Sequence, residues 1–494
     1  MSDLGQTPQP NMPVNANNTQ VPAEATNAAQ NNIQAPGQPQ GQPVQGQPVQ
    51  GQRPTVRPYM TFNPPRISMK SEVEGIVYDF NKGARVAVPK GNYRVRFIDR
   101  DACLVLYDAK ADGVICTSTK VYYVNFRIEV YKRGDEQKKE PDKLIFAHNY
   151  DARGKNVLLK FPDTAMGDVL AWFPYAEEFR KQHGCNLYCA LNPKFSSILK
   201  AGYPEINFVD TETVPPDLYA SYYVGLFAPW DNRDLQPVDW RIVGLQRHAA
   251  YLLGVDPVER RPRLTPCQER PIKEPYVCIA SQSTAQCKYW NNAFGWLGTV
   301  EYLKKLGYRV LCVDRDRISV VGNQGNNIPY GTEDFTGDRP LQERVDLIAH
   351  ADFFIGLTSG LSWLAWGTGV PVILITGYTA PNIEFYTPYR VQHFHVCNSC
   401  CNDMRLEHKY GDFGSCPKFR GTEREYECTR FITPEHVCRT IDRVRADLGI
   451  APLPDYSKLY AQPVKDADEQ TETKAAAKPE VKPEVKPETA EEKK

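Results

Sequence analysis

The run Ala351-Asp352-Phe353-Phe354-Ile355-Gly356-Leu357-Thr358-Ser359-Gly360-Leu361-Ser362-Trp363-Leu364-Ala365 changes character twice within a few residues. An apolar run of strand type stops at Ile355, a turn of Gly, Thr and Ser follows, and a helix opens without a spacer. Strand, tight turn and helix make half of a βα unit, and the same half recurs on both sides of it. Upstream, strands read at 276–280 and 309–313 and helices at 294–306 and 341–350; downstream, a strand at 371–375 completes the series. An earlier series starts with a buried-type strand at 157–161. It continues through an amphipathic helix at 169–183, with Leu170, Phe173, Ala176 and Phe179 on one face, and adds strands at 187–190 and 206–208. Such alternation with short loops calls for parallel strands, and parallel sheets are covered by helices on both faces. Pro257, Pro262, Pro266, Pro271 and Pro275 mark the join between the two series. The fold class is therefore α/β, with Rossmann-like lobes over 154–270 and 271–394 facing a cleft.

Outside the lobes the pattern differs. Residues 58–153 hold short β-branched or aromatic runs parted by turn signals such as Lys90-Gly91-Asn92 and Asp112-Gly113, and read as a small all-β domain. Residues 1–57 repeat Gly-Gln-Pro-Val without one aromatic side chain, and residues 457–494 repeat Lys-Pro-Glu-Val. Neither composition buries enough apolar surface to offset backbone entropy, so both are expected to be disordered tails. The 59 basic and 59 acidic residues cancel, which gives no electrostatic reason to expect nucleic acid or an anionic membrane as partner. No apolar run approaches the ~18 residues of a membrane span, and the polar N-terminus lacks the apolar stretch of a secretory signal. A cytoplasmic location without membrane insertion is the expectation.

Three segments have the residue types that chemistry needs. The turn Thr358-Ser359-Gly360 opens a helix, whose free N–H groups and positive dipole end suit an anion; it also reads as an ordinary βα turn with a Ser cap. Asp168, after Gly167 at the start of the opposite lobe's first helix, is either that helix's N-cap or a carboxylate that takes a proton from an attacking hydroxyl. Lys288 follows the first strand of the second lobe, at the sheet edge where ligands of such folds bind, and there could neutralise a departing diphosphate; elsewhere it is a surface lysine. Fourteen cysteines are present, and Cys397, Cys400, Cys401, Cys416 and Cys428 crowd into residues 395–430. Crowding of that kind in a reducing compartment points to metal, and four thiolates suit zinc or iron in a closed, structural site. Cys397-x-x-Cys400 with Cys416 and Cys428 is the leading set; Cys401, Cys438, His393 and His395 compete. Such a finger is expected to lie away from the cleft, followed by a C-terminal helix within 431–456. The Asp-x-Asp triplets at 99–101 and 314–316 are too weak to carry a metal-dependent reading.

Gly167-Asp168-Val169, Lys288-Tyr289-Trp290 and the stretch 352–369 resemble bacterial ADP-heptose-dependent heptosyltransferases. The added β domain and the cysteine spacing narrow the resemblance, over about 59–448, to the autotransporter heptosyltransferase family. That resemblance implies a GT-B fold, an iron-bearing cysteine finger (zinc being the other candidate), a large homo-oligomer, ADP-heptose as donor and Ser/Thr hydroxyls of an autotransporter passenger protein as acceptors. It also implies Asp168 as catalytic carboxylate and Lys288, Thr358, Ser359 and Gly360 as donor-binding residues. Cys397, Cys400, Cys416 and Cys428 are then the metal ligands, and no catalytic metal is expected. A paired Cys400-Cys401 departs from the family pattern. Two rivals are a lipopolysaccharide-type heptosyltransferase and a non-catalytic GT-B-like scaffold.

Overall fold

The computed structural model describes residues 64–227, 234–321, 324–406 and 414–453. Both expected tails, and residues 58–63, lie outside the described residues. The first part of the chain is all strand: β1 (Met69–Lys70), β2 (Val77–Asn81), β3 (Arg85–Ala87), β4 (Tyr93–Asp99), β5 (Leu104–Ala111), β6 (Ile115–Thr117), β7 (Phe126–Lys132) and β8 (Lys143–Asn149). The first lobe comes next, with β9 (Asn156–Lys160), α1 (Met166–His183), β10 (Asn186–Ala190), α2 (Pro193–Leu199), β11 (Asn207–Val209), β12 (Leu218–Tyr223), α3 (Trp240–Val243) and α4 (Leu245–Leu253). The second lobe comprises β13 (Tyr276–Ala280), α5 (Gly295–Lys305), β14 (Arg309–Cys312), the hairpin β15 (Ile318–Val321) and β16 (Gln324–Asn327), β17 (Glu333–Asp334), α6 (Leu341–Ala349), β18 (Phe354–Leu357), α7 (Gly360–Thr368), β19 (Val372–Ile375) and β20 (Arg390–Val391). Short α8 (Glu427–Arg430) and α9 (Pro434–Asp447) end the described chain, the latter opened by a Thr433–His436 capping box.

In the second lobe six parallel strands run β17-β14-β13-β18-β19-β20, so its first strand lies between its second and fourth. Each face is filled by alternate residues of the same strands. Tyr276, Cys278 and Ala280 of β13 join the large core, whereas Val277 and Ile279 face the core completed by Val437, Ile441 and Val444 of α9. This is why β13 reads as an unbroken apolar run.

The first lobe repeats the order, β11-β10-β9-β12, with parallel pairing throughout. Beyond β12 the sheet departs from the sequence expectation, because residues 58–153 are not a self-contained all-β unit. β2 pairs in parallel with β12, and antiparallel β3 and β6 extend the same sheet, while β5-β4-β7-β8 form a separate antiparallel sheet. The reason is a shared core: Phe80 of β2 lies 5.1 Å from Tyr219 of β12 and 6.2 Å from Phe126 of β7, ring to ring. A buried ion pair of Asp79 with Arg85 pins β2 to β3. The proline-rich linker is laced to the first lobe, with Tyr175 donating to the Val258 carbonyl at 2.8 Å and Gln246 exchanging bonds with the Arg260 backbone.

Candidate active site

In each sheet the strand order reverses beside the first strand, and there the loops leaving the strands' carboxyl ends diverge to leave a crevice. The loop after β9 leads to Met166, Gly167 and Asp168; those after β13 and β18 lead to Gln282–Thr284 and to Thr358–Gly360. All of these residues line one cleft of about 600 Å³, together with Lys288.

Two helix tips meet at the cleft. A Cβ on Gly167 would stand 3.1 Å from Gly360 Cα and 3.0 Å from Trp363 Cδ1; one on Gly360 would stand 3.1 Å from Gly167 N and 3.0 Å from Met166 Cε. Glycine at both positions lets α1 and α7 touch at their N-termini. Two positive dipole ends then border the same space, which favours an anion there.

Asp168 is not a helix cap. α1 starts earlier than the sequence indicates, with Ala165 at the N-cap position and Asp168 in the first turn, half-buried and on the cleft wall. The tertiary contact of Met166 and Gly167 with α7 winds these residues into the helix. Ser359 occupies the N-cap position of α7 but makes no capping bond, and its buried Oγ has no hydrogen-bond partner among the described residues. A buried hydroxyl left open in a cleft wall suits a ligand.

Thr358 lines the same cleft, yet its hydroxyl hydrogen is committed inward. Thr358 Oγ1 donates to Thr376 Oγ1 at 2.9 Å, Thr376 and Thr379 lie 2.9 Å apart, and Thr379 donates to Glu384 Oε1 at 2.6 Å. Arg390 Nη2 holds the other Glu384 oxygen at 3.1 Å. A hydroxyl has one hydrogen, so this ordered chain leaves Thr358 none for the cleft. The Thr358 hydroxyl thus braces the turn from below.

Lys288 ends a short 3-10 turn, half-buried, with Nζ 5.8 Å from the centroid of the Tyr378 ring, and both residues line the cleft. Asp314, of the weak Asp-x-Asp triplet, is buried in the cleft wall. Its carboxylate accepts from Ser281 N (2.8 Å), Ser281 Oγ (2.9 Å) and Gln282 N (3.2 Å), so it fixes the loop after β13. Burial nevertheless pushes its pKa upward.

The cysteines divide sharply. Cys397, Cys400, Cys416 and Cys428 line a void of about 10 Å³, and Cys287 joins them from the loop after β13. Cys401, by contrast, lines the cleft; Cys438 lies on α9, and neither it nor His393 or His395 borders the void. None of the cysteines forms a disulfide among the described residues. Burial pushes the Cys428 thiol up to about 12 and that of Cys400 well above the usual range, so both are protonated unless a cation offsets the cost. Phe419 N–H points to Cys416 Sγ at 3.4 Å, the outer bond that a ligating sulfur commonly accepts. Among the described residues no three Cys, His, Asp or Glu side chains are drawn together tightly enough to hold an ion as they stand. The donor set fits a soft cation in kind, with the ring of thiols loose.

Position overturns one expectation. The finger does not lie away from the cleft: Cys287 and Lys288 are consecutive, as are Cys400 and Cys401, and each pair has one member on the finger void and the other on the cleft. The sequence gives no spacing signal for Cys287, which is remote in the chain from the other thiols. Tyr378, Cys401 and Glu384 were also beyond sequence reasoning.

Known proteins match this chain in sequence and in fold. The family description "Glycosyltransferase TibC, N-terminal domain" matches residues 73–134, and "Glycosyltransferase family 9 (heptosyltransferase)" matches residues 243–411; Asp168 falls between them. Autotransporter heptosyltransferase Aah of Escherichia coli is 49% identical over 384 residues, 77% of this chain and 96% of that one. The crystal structure of the iron-containing dodecameric glycosyltransferase TibC from enterotoxigenic E. coli H10407 superposes with a TM-score of 0.75 at 45% identity, covering 78% of this chain and 100% of that chain. TibC has also been solved in complex with ADP-D-beta-D-heptose. The inactive autotransporter heptosyltransferase BimC of Burkholderia thailandensis is 40% identical over 393 residues, 79% of this chain and 90% of that one.

Proposed function

The chain belongs to the autotransporter heptosyltransferase family, and from that premise we propose that it transfers heptose from ADP-heptose to Ser/Thr hydroxyls of an autotransporter adhesin. The observation that supports this best is the convergence of Asp168, from one lobe, with Lys288, Ser359 and Gly360, from the other, on a single cleft. Its volume of about 600 Å³ lies in the range of small-molecule sites.

In this mechanism the acceptor hydroxyl enters from the Asp168 side. Asp168 orients it and accepts its proton as the oxygen attacks the anomeric carbon in a direct displacement. The bond to the diphosphate breaks as the new one forms, and negative charge grows on the departing ADP. Lys288, the amides at the tip of α7 and the open Ser359 hydroxyl meet that charge, all fixed before the reaction starts.

We assign Cys397, Cys400, Cys416 and Cys428 as ligands of a structural iron, the metal named for TibC; zinc is the other cation that four thiolates suit. Such an ion supplies a cross-link with no open coordination position. It would hold Cys400, and with it Cys401 in the cleft wall. Likeness to the dodecameric TibC supports a homo-oligomer for this chain. A cytoplasmic site of action goes with a chain in which no described helix is long and apolar enough to cross a membrane.

Asp168→Ala tests the assignment. Transfer should fall by about 10²–10⁴, while calorimetry should find ADP-heptose affinity within about twofold of the parent. Undiminished turnover would reduce Asp168 to a bystander at a helix tip.

A further inference from the structure

Between β20 and α9 lies a second cavity, of about 530 Å³, that the transfer reaction does not use. Arg390, His393 and His395 line one side, and His436, Arg439 and Arg443 line the other; no aspartate or glutamate lines it. On α9 the basic positions fall at i, i+3 and i+7, and so share one helix face. Of the nearby acids, Glu435 interacts electrostatically with Arg439 and His436, and the others are engaged elsewhere. Asp442 accepts from Tyr302 at 2.5 Å and Asp447 from Tyr389 at 3.0 Å, while Glu435 is exposed at the helix start, outside the cavity wall. Among the described residues Arg439 and Arg443 form no ion pair, and Arg443 donates to the Pro388 carbonyl and lies over the Tyr389 ring. Arg390 gives Nη2 to Glu384, but its buried Nη1 has no acceptor among the described residues.

Arg390 is paired with Glu384, but Arg439 and Arg443 add two further guanidinium charges to the same cavity, whose described lining holds no carboxylate. A multivalent anion reverses the balance, because guanidinium forks match phosphate oxygens two at a time. We propose that this cavity is a binding site for an oligophosphate group, separate from the donor cleft. The shape supports a compact ligand: Phe394 at the rim is 60% exposed, and Ile432 and Val391 form a buried apolar part of the wall. A nucleotide or a free polyphosphate would meet the same chemistry.

The test is calorimetry of the full-length protein with inorganic tripolyphosphate at fixed ionic strength, with the donor cleft first saturated with ADP. The site predicts about one equivalent of tripolyphosphate still bound per chain, with affinity lowered at least tenfold in the Arg439→Ala/Arg443→Ala double variant. Heptose transfer and ADP affinity should be unchanged in that variant, which also verifies its folding. The control Arg153→Ala/Arg405→Ala removes the same charge from exposed positions elsewhere and should bind as the parent does. Complete displacement by ADP, parental affinity in the double variant, or equal loss in the control would each overturn the proposal. Repeating the titration with ATP in place of tripolyphosphate separates the sources: tighter binding assigns the site to nucleotides, equal or weaker binding to free polyphosphate.

Discussion

The two parallel sheets share the order third-second-first-fourth, and beyond that point they are finished in different ways. The donor-side sheet adds two more parallel strands of its own, β19 and β20, and has one loop backed by the cysteine finger. The acceptor-side sheet borrows β2, β3 and β6 from a distant part of the chain. One lobe is thus closed by local alternation, the other by a long-range pairing. In the proposed mechanism the chemistry follows the same division: the donor side contributes the lysine and the helix tip that would meet leaving-group charge, and the acceptor side contributes the carboxylate.

Substitutions can break this comparison on either side. Lys288→Ala should have the largest effect after that of Asp168. A loss of one charge-stabilising donor costs about 10²–10³ in kcat/KM, with part of it appearing as weaker ADP binding and none as a lowered Tm. If donor affinity were untouched, Lys288 would not face the diphosphate. Chelation of the finger metal should act through the same wall. With Cys400 released and the void that Cys287 borders loosened, Cys401 and Lys288 lose their backing, and ADP affinity should drop on the order of tenfold, equivalent to about 1.4 kcal/mol. Unaltered affinity in metal-depleted protein, measured by calorimetry, would make the finger independent of the cleft.

Acid should distinguish the lobes next. His183 on α1 and His248 on α4 are both held neutral by burial, their pKa values depressed to about 4. In the unfolded chain they protonate near 6.5, so between about 6.5 and about 4 the unfolded state binds protons that the folded state does not. The stability they contribute is present above that window and is lost as pH falls through it. Denaturant melts followed by hydrogen exchange should show the acceptor-side lobe losing protection first; earlier loss around β13 and β18 would contradict this.

The smallest effects divide the diphosphate turn itself. Ser359→Ala removes an open hydroxyl donor and should lower kcat/KM by up to about tenfold without changing stability. Thr358→Val should do the reverse, costing about 1–3 kcal/mol in denaturant unfolding because Thr376 loses its partner, with ADP affinity nearly unchanged.

How far the sequence could be read depends on how local each cause is. β13, β18, α6 and α7 announce themselves because each strand is buried on both faces and each helix follows at once. β2 and its link to β12 do not, since a period-two pattern fixes a strand but not its partner, and the pairing depends on Phe80 meeting Tyr219 and Phe126 across the fold. Asp168 was legible as a cleft residue but its helix start was not, because the Gly167–Gly360 contact draws Met166 and Gly167 into α1. The cysteine spacing picked out four of the five thiols that share the void. Nothing in it separated Cys400 from Cys401, whose opposite directions arise from a 3-10 turn at 400–402, and nothing flagged Cys287.

Family membership includes a relative described as inactive, so catalysis by this chain is best tested directly. Intact mass of an autotransporter passenger co-expressed with the protein is the most direct measurement. With the parent chain the passenger should gain mass in steps of one heptose, and with Asp168→Ala it should gain none. A passenger left unmodified by the parent, or modified equally by the variant, would contradict a cleft in which two lobes bring carboxylate and donor together.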